Sequence, residues 1–194
     1  MSLPTYDKNK RKKSFKILPK GAYVVKILKA KEVQNKNGNG SHIEMAFDIA
    51  EGDYKDFYKN QYEQSTNEDK KYSPDAYFRL TVPNDGSKQY VWDTWNTFFA
   101  DLEDSNNGFV FGGDVNSLRG KVIGGKFHNE QSEYNGNVYD HTRLRWTCVA
   151  DDVRSGNYGK MPNDKLINNA PNAPANDTGF MPIPDEKEED VPFL

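Results

Sequence analysis

Residues 42–50 read HIEMAFDIA, in which large apolar side chains occupy every second position. The side chains that this alternation places on one face are Ile43, Met45, Phe47 and Ile49. A period of two is typical of a β-strand with one buried and one solvated face. The stretch therefore predicts a half-buried strand with Glu44 and Asp48 on the solvent side, and it favours a mainly β fold.

Four other segments have the composition of strands. They are rich in β-branched or aromatic residues and lie between glycine, proline or asparagine turn signals. The five predicted strands are 22–33, 42–50, 76–82, 120–128 and 138–149. Asn-Gly turns are predicted at 34–41 and 134–137, and the Gly124-Gly125 pair predicts a bulge or bend in the fourth strand.

One helix is predicted between the third and fourth strands, from a cap at Ser87 to about Asp104. Its apolar stripe consists of Tyr90, Val91, Trp95, Phe98, Phe99 and Leu102. Five strands with one helix between strands 3 and 4 is the element order of an OB-fold barrel. Another small β-barrel or an α+β sandwich has the same element count, so both remain alternatives.

Several aromatic side chains have two interpretations, burial in the core or stacking on a ligand. The segment 54–66 carries Tyr54, Phe57, Tyr58 and Tyr62. We expect these four to cover one end of the barrel. Trp95 on the helix stripe and Trp146, which alternates with Leu144, are predicted to be buried, whereas Trp92 is left open.

The composition limits the class of protein. The 194 residues suit one domain with tails. A single cysteine, Cys148, excludes an intramolecular disulfide, and with three histidines it makes a structural zinc site unfavourable. The N-terminus lacks the apolar stretch of a signal peptide, and no segment has the length of a membrane span. We therefore expect a cytoplasmic protein that binds no membrane, metal or cofactor.

Charge is distributed unevenly, although the net charge is −3. Residues 1–36 hold 11 lysines and arginines against 2 acidic residues, and residues 177–194 hold 1 against 6. The middle, 37–176, is mildly acidic, with 14 against 21. We predict a flexible basic arm at 1–18 and a disordered linker, rich in Asn and Pro, at 159–184.

The chain ends in an acidic run followed by an apolar tripeptide. Residues 185–194 read DEKEEDVPFL, which resembles the C-terminal tip of bacterial and phage single-stranded DNA-binding proteins. In that family an OB-fold domain leads through a disordered linker to such a tip. The resemblance implies that the tip binds replication or recombination proteins through Asp190, Val191, Pro192 and Phe193. One further residue, Leu194, follows the phenylalanine at which the family normally ends.

Short stretches of the domain resemble phage proteins of the same kind. They are LPKGAYVVKI at 18–27, KNGNGS at 36–41, EGDY at 51–54 and YNG at 134–136. The resemblance implies an OB-fold domain over 19–158. It also implies a phage-encoded protein that binds single-stranded DNA without sequence preference, in replication, recombination or repair.

Binding of this kind requires cations that contact phosphates and rings on which bases stack. Arg143 and Arg145 alternate with apolar residues in the fifth strand, and Tyr77 and Arg79 share a face of the third. The predicted DNA-binding residues are Lys26, Lys29, Tyr77, Arg79, Lys121, Lys126, Tyr139, Arg143 and Arg145. The alternative is that these residues form ordinary solvated strand faces.

Three rival functions are open at this point. A nuclease is suggested by Asp140 beside His141 and by the Asp151-Asp152 pair. The chain lacks a glycine-rich phosphate loop, a nucleophile elbow and a His/Cys metal motif, so we predict no enzyme activity. A protein-interaction adaptor that keeps the barrel but does not bind DNA is the main alternative. A strand-annealing protein would also bind single strands, and the oligomeric state is open, including a homo-oligomer.

Overall fold

A computed structural model describes residue 5, residues 16–36 and residues 38–167. Most of the predicted basic arm at 1–18 lies outside the described residues. Most of the predicted linker and the whole acidic tip at 185–194 also lie outside them.

Five strands form one antiparallel sheet. They are β1 (Gly21–Gln34), β2 (Ser41–Ile49), β3 (Tyr77–Thr81), β4 (Val122–Tyr134) and β5 (Asn137–Cys148). Their order in the sheet is β3-β2-β1-β4-β5. The mainly β prediction and all five strands are confirmed, although β4 runs on to Tyr134 instead of ending at His128. Asn135 and Gly136, both at positive φ, make the predicted tight turn between β4 and β5.

The two outer strands of the sheet, β3 and β5, approach each other without forming a hydrogen-bonded ladder within the described chain. We call this gap the seam. The carboxylate of Asp75, just before β3, accepts hydrogen bonds across it from His141 Nδ1 at 2.9 Å and Arg143 Nε at 3.3 Å. Side chains, and not backbone pairs, therefore connect the edges of the curved sheet.

Within the described residues, three α-helices accompany the sheet, α1 (Phe57–Gln64), α2 (Gln89–Asp104) and α3 (Ala150–Ser155). The position of α2 between β3 and β4 confirms the predicted helix. The predicted cap at Ser87 is wrong, because the helix begins at Gln89 after Lys88. The Ser87 hydroxyl instead accepts the N–H of Asn84 at 2.9 Å, since serine side chains readily bond to nearby backbone in turns.

The core lies inside the curve of the sheet. Its β2 members are the four alternating residues predicted to be buried, Ile43, Met45, Phe47 and Ile49. The buried residues of α2, Phe98, Phe99 and Leu102, belong to the same cluster. Tyr58 of α1 is also buried, with its ring edge-on to Phe47 at 5.9 Å. The aromatic segment therefore covers the core as predicted, with Tyr54 the most exposed of its four rings.

Asp48 differs from its predicted solvent-facing position, because its side chain is only 3% exposed. Its carboxylate accepts the backbone N–H groups of Ile49 at 2.8 Å, Tyr58 at 3.0 Å and Lys59 at 2.8 Å. The residue at the N-cap of α1, Asp56, makes no side-chain capping bond. Asp48 therefore supplies from β2 the acceptors that the first turn of a helix needs.

The glycine pair of β4 lies where two strands pack closely. A Cβ atom on Gly124 would lie 2.8 Å from Cys148 Sγ, and one on Gly125 would lie 2.7 Å from Leu144 Cδ1. A bulge follows the pair, but its extra residue is on β5. Lys126 is paired with Trp146 and Phe127 with Leu144, so Arg145 is the extra residue of the bulge.

This bulge corrects the predicted faces of β5. Trp146, predicted to be buried beside Leu144, is 37% exposed. An extra residue reverses the alternation beyond it, so Trp146 shares a side of the sheet with Lys126, opposite the buried Phe127–Leu144 pair. Arg145 is half-buried at the bulge and does not alternate regularly with Arg143.

The segment after α3 packs along β4, and we call residues 160–167 the strap. Asn163 O accepts a bond from His128 Nδ1 at 2.9 Å, Asp164 Oδ1 accepts the N–H of Asn129 at 3.0 Å, and Lys165 forms a parallel bridge to Glu130. The strap occupies the edge of β4 beyond Phe127, where pairing with β1 ends. The folded part thus continues past the predicted boundary at residue 158.

Candidate nucleic-acid interface

The outward side of β5 presents a row of polar and aromatic side chains. We call this the β5 row, and it consists of Tyr139, His141, Arg143 and Trp146. The first three are paired with Ser132, Glu130 and His128 of β4. Tyr139 is 47% exposed. Because the strap covers His128 and Glu130, the β5 row lies between the strap on one side and the seam on the other.

A second row runs across the outward side of β3, β2 and β1. The register aligns Arg79 with Glu44 and Glu44 with Lys31. Arg79 Nε and Lys31 Nζ lie 3.1 Å and 3.2 Å from the Glu44 carboxylate. Two residues further along, Tyr77 aligns with Ala46, and Ala46 aligns with Lys29. Ala46 is buried, and the ring of the half-buried Tyr77 lies edge-on to Tyr72. Three cations and one tyrosine therefore share this surface with one acid.

The seam brings these two rows next to each other. Asp75 contacts His141 and Arg143 of the β5 row and stands two residues before Tyr77 of β3. The predicted site residues that the structure places on these adjoining surfaces are Lys29, Tyr77, Arg79, Tyr139 and Arg143.

The other predicted residues lie elsewhere. Lys26 stands between Asp48 and Val122 in the sheet. Lys121 precedes β4, with Nζ 4.4 Å from the centroid of the Phe109 ring. Lys126 is paired with Trp146 at the far end of the β5 row, and its Nζ donates to Lys160 O at 3.4 Å. Arg145 is at the bulge, beside the row and not in it.

The acids at this surface remain ionised at neutral pH. Burial would raise the pKa of Glu44, but hydrogen bonds and charges from Lys31 and Arg79 outweigh it and lower that pKa. A hydrogen bond from His128 lowers the pKa of Glu130 to about 2, against the opposing effect of burial. Both carboxylates therefore neutralise part of the cationic charge around them.

The surroundings of His42 lower the pKa of its imidazole. Burial is the main cause that lowers its pKa. The charges of Arg79 and Lys31 lower it further, and only Glu44 acts in the opposite direction. Arg79 and Lys31 therefore place two positive charges near His42, against the one negative charge of Glu44.

Sequence reasoning missed several residues of this surface. Tyr134, 68% exposed, ends β4 on the same side as Tyr139, but it was assigned to the turn. Alternation from Lys126 through position 134 would have identified it, had β4 been predicted long enough. Asp75 and His141 carried no such signal, because they meet only across the seam.

Ser132, His141 and Asp75 form a chain of hydrogen bonds in the order of a catalytic triad. Ser132 Oγ lies 2.8 Å from His141 Nε2, and His141 Nδ1 lies 2.9 Å from Asp75 Oδ1. Hydrolysis of this kind also requires two donors that converge on the oxyanion. Ser132 is paired with Tyr139 in a regular ladder, and the N–H of Gln131 donates to Lys165 O on the opposite edge. These hydrogen bonds therefore stabilise the contact across the seam. The backbone around Ser132 does not provide the two converging N–H donors that an oxyanion would need.

No protein-family model matches this chain, and no curated protein matches it. Among residues 16–36 and 38–167, no cluster of three or more His, Cys, Asp and Glu side chains could hold a metal ion. None of the helices in the same ranges is long and apolar enough to cross a membrane.

Proposed function

We propose that this protein acts in the cytoplasm, where it binds single-stranded DNA without sequence preference in replication, recombination or repair. The proposed site is the β5 row together with the outward side of β3, β2 and β1. The strand order, with β3 and β5 meeting at the seam, supports an OB-fold barrel that is partly open. OB-folds bind oligonucleotides on the strand 2–3 face and on the two hairpin loops beside it, which here are residues 35–40 and 135–136.

One observation carries this proposal, namely rings and cations on adjoining outward surfaces. The rings are Tyr77, Tyr134 and Tyr139, and the cations are Lys29, Lys31, Arg79 and Arg143. Stacking on each ring contributes about 1–3 kcal/mol per base for any base. Phosphate contacts add affinity that falls with salt. Together these two features suit a strand whose sequence is not read.

The acidic average of the domain does not oppose local binding. Several acids have partners away from the proposed site. For example, Glu51 forms a salt bridge with Arg154, and Asp101 accepts a hydrogen bond from Thr147. Among the described residues, Glu44 and Asp75 contact cations of the site. These two acids also favour the adaptor alternative, because carboxylates that neutralise the cations of the surface reduce its attraction for phosphates.

A titration separates the two functions. We expect a labelled oligo-dT to bind at low salt, with a log–log salt slope of about −2 to −3 for three to four phosphate contacts. Duplex DNA of equal length should bind more weakly, because its bases cannot stack on the rings. Failure of oligo-dT to bind at low salt would support the adaptor, whereas equal binding of the duplex would contradict a site for single strands.

The acidic tip is proposed to bind a replication or recombination protein through Val191, Pro192 and Phe193 and to compete with DNA. The position of Ile167, the last described residue, supports this proposal. The N–H of Ile167 donates to Gln131 Oε1 at 3.3 Å, so the chain leaves the strap beside the β4–β5 hairpin. Residues 177–194 carry six acids and one lysine, opposite in sign to the proposed site.

Deletion of residues 177–194 should tighten oligo-dT binding about threefold to tenfold at low salt, since a linked acidic segment competes at high effective concentration. The measurement is the same titration in low and in physiological salt. Deletion of residues 191–194 alone is the matched control, because it keeps every acid and should leave DNA affinity unchanged. Equal affinity of the full-length and 177–194 deleted proteins would contradict the competition.

A further inference from the structure

Trp146 is exposed because the backbone of β5 turns it outward. Regular alternation would direct it into the core with Leu144, where an indole could bury a large apolar area. The extra residue at Arg145 reverses the alternation and leaves the ring 37% exposed. Bulges often re-aim a side chain in this way beside functional sites. The bulge gives up the free energy of burying the Trp146 ring, so we expect the exposed ring to have a function at the surface.

Cations flank the exposed ring along two directions. Across the ladder Trp146 is paired with Lys126, and along the β5 row the next outward residue is Arg143. Because the bulge adds a residue, Arg143 and Trp146 are three positions apart, roughly 10 Å along an extended strand. Arg143 Nε also contacts Asp75 Oδ1 across the seam at 3.3 Å, and Lys126 is held near the strap by Lys160 O. The ring therefore lies beside two cationic residues at the end of the row, one of which is already paired with an acid.

We propose that Trp146 is a stacking site for one unpaired nucleobase, with Lys126 and Arg143 contacting the phosphates on either side of it. The inference rests on the proposed function and assigns a specific role to Trp146 within the β5 row. Charge complementarity favours this occupant over an apolar peptide, which would gain nothing from the two cations. A partly exposed aromatic ring suits a base of any identity.

The alternative role for Trp146 is packing against the neighbouring strap. Trp92 on α2 is the matched control, because its side chain is also 37% exposed but lies on a helix outside the β5 row. The chain has three tryptophans, so their fluorescence can be assigned by Trp92→Phe and Trp146→Phe variants. Trp146→Leu removes the ring system but keeps an apolar side chain toward the strap.

The experiment titrates each full-length variant with unlabelled oligo-dT at low salt and follows tryptophan emission. We expect quenching in the wild type and in Trp92→Phe, and the loss of at least half of it in Trp146→Phe. Trp146→Phe should bind within about threefold of wild type, whereas Trp146→Leu should bind about tenfold more weakly. Unfolding midpoints of all variants provide the check on folding.

The salt slope distinguishes stacking from a general structural effect. Trp146→Leu should keep the wild-type slope, because a stacking residue releases no counterions, whereas Lys126→Gln should reduce it by about 0.7. Unchanged quenching in Trp146→Phe, or Trp146→Leu binding within twofold of wild type, would overturn the Trp146 site while leaving the proposed function intact. Absence of oligo-dT binding by the wild type would overturn both.

Discussion

Replacement of Arg79 and Arg143 together by glutamate is expected to weaken oligo-dT binding about 100-fold at low salt. Each arginine stands on one of the two surfaces that meet at the seam, next to Glu44 and Asp75 respectively. A charge-assisted hydrogen bond contributes about 1.5–3 kcal/mol, and loss of two such bonds corresponds to about 3 kcal/mol or more. The salt slope should fall by about 1.4, because two phosphate contacts are removed.

The matched control reverses two lysines outside the site. Lys55 and Lys88 are exposed, one before α1 and one before α2. Their double glutamate variant has the same net charge and should bind within about threefold of wild type, since distant exposed charges are screened. Equal losses in the two double variants would mean that only net charge matters and that no localised surface exists. Arg79→Gln with Arg143→Gln, without added acids, checks that Glu44 and Asp75 do not simply repel the new glutamates.

Asp48→Ala is expected to lower the free energy of unfolding by about 3 kcal/mol. The change leaves the N–H groups of Ile49, Tyr58 and Lys59 without their carboxylate acceptor. An unsatisfied buried donor costs about 1–3 kcal/mol, and loss of a helix cap costs about 1 kcal/mol. Urea unfolding, followed by the circular dichroism of the sheet, measures the difference.

Asp48→Asn separates the hydrogen bonds from the volume of the side chain. Its amide oxygen can keep the Oδ1 bonds to Ile49 and Tyr58, while its NH₂ group cannot accept from Lys59. We expect a loss of about 1 kcal/mol. Asp53→Ala, which removes an exposed acid between β2 and α1, should change stability by less than about 0.5 kcal/mol. Asp48→Ala with stability within that margin would show that α1 does not depend on the buried carboxylate.

Local patterns predicted most of the sheet correctly. The alternation of residues 42–50 identified β2 and its four core side chains, because burial of one face imposes a period of two on the sequence. Asn135 and Gly136 identified the β4–β5 turn through the positive φ that this turn requires. The stripe that ends at Leu102 identified α2. Each of these signals lies within a single element and needs no knowledge of what packs against it.

Three of the errors share one cause, which is contact between different elements. The exposure of Trp146 was not predicted, because the bulge that exposes it arises from the pairing of β5 with β4 and not from β5 alone. The burial of Asp48 was not predicted, because two of the N–H groups that donate to its carboxylate belong to α1. The strap was predicted as linker because Asn163 and Asp164 fold only against β4.

The same division applies to the candidate site. Composition and the spacing of Tyr77, Arg79, Tyr139 and Arg143 were sufficient to nominate rings and cations on two strands. The register alone aligned Arg79 with Glu44 and Lys31, and the curvature of the sheet alone brought Asp75 to Arg143. The strands and the core side chains of β2 could be predicted from the amino-acid sequence, because side-chain periodicity acts over a few residues, whereas the outward position of Trp146 could not. Which outward faces adjoin was decided only by the tertiary structure, because sheet curvature and strand register depend on every strand at once.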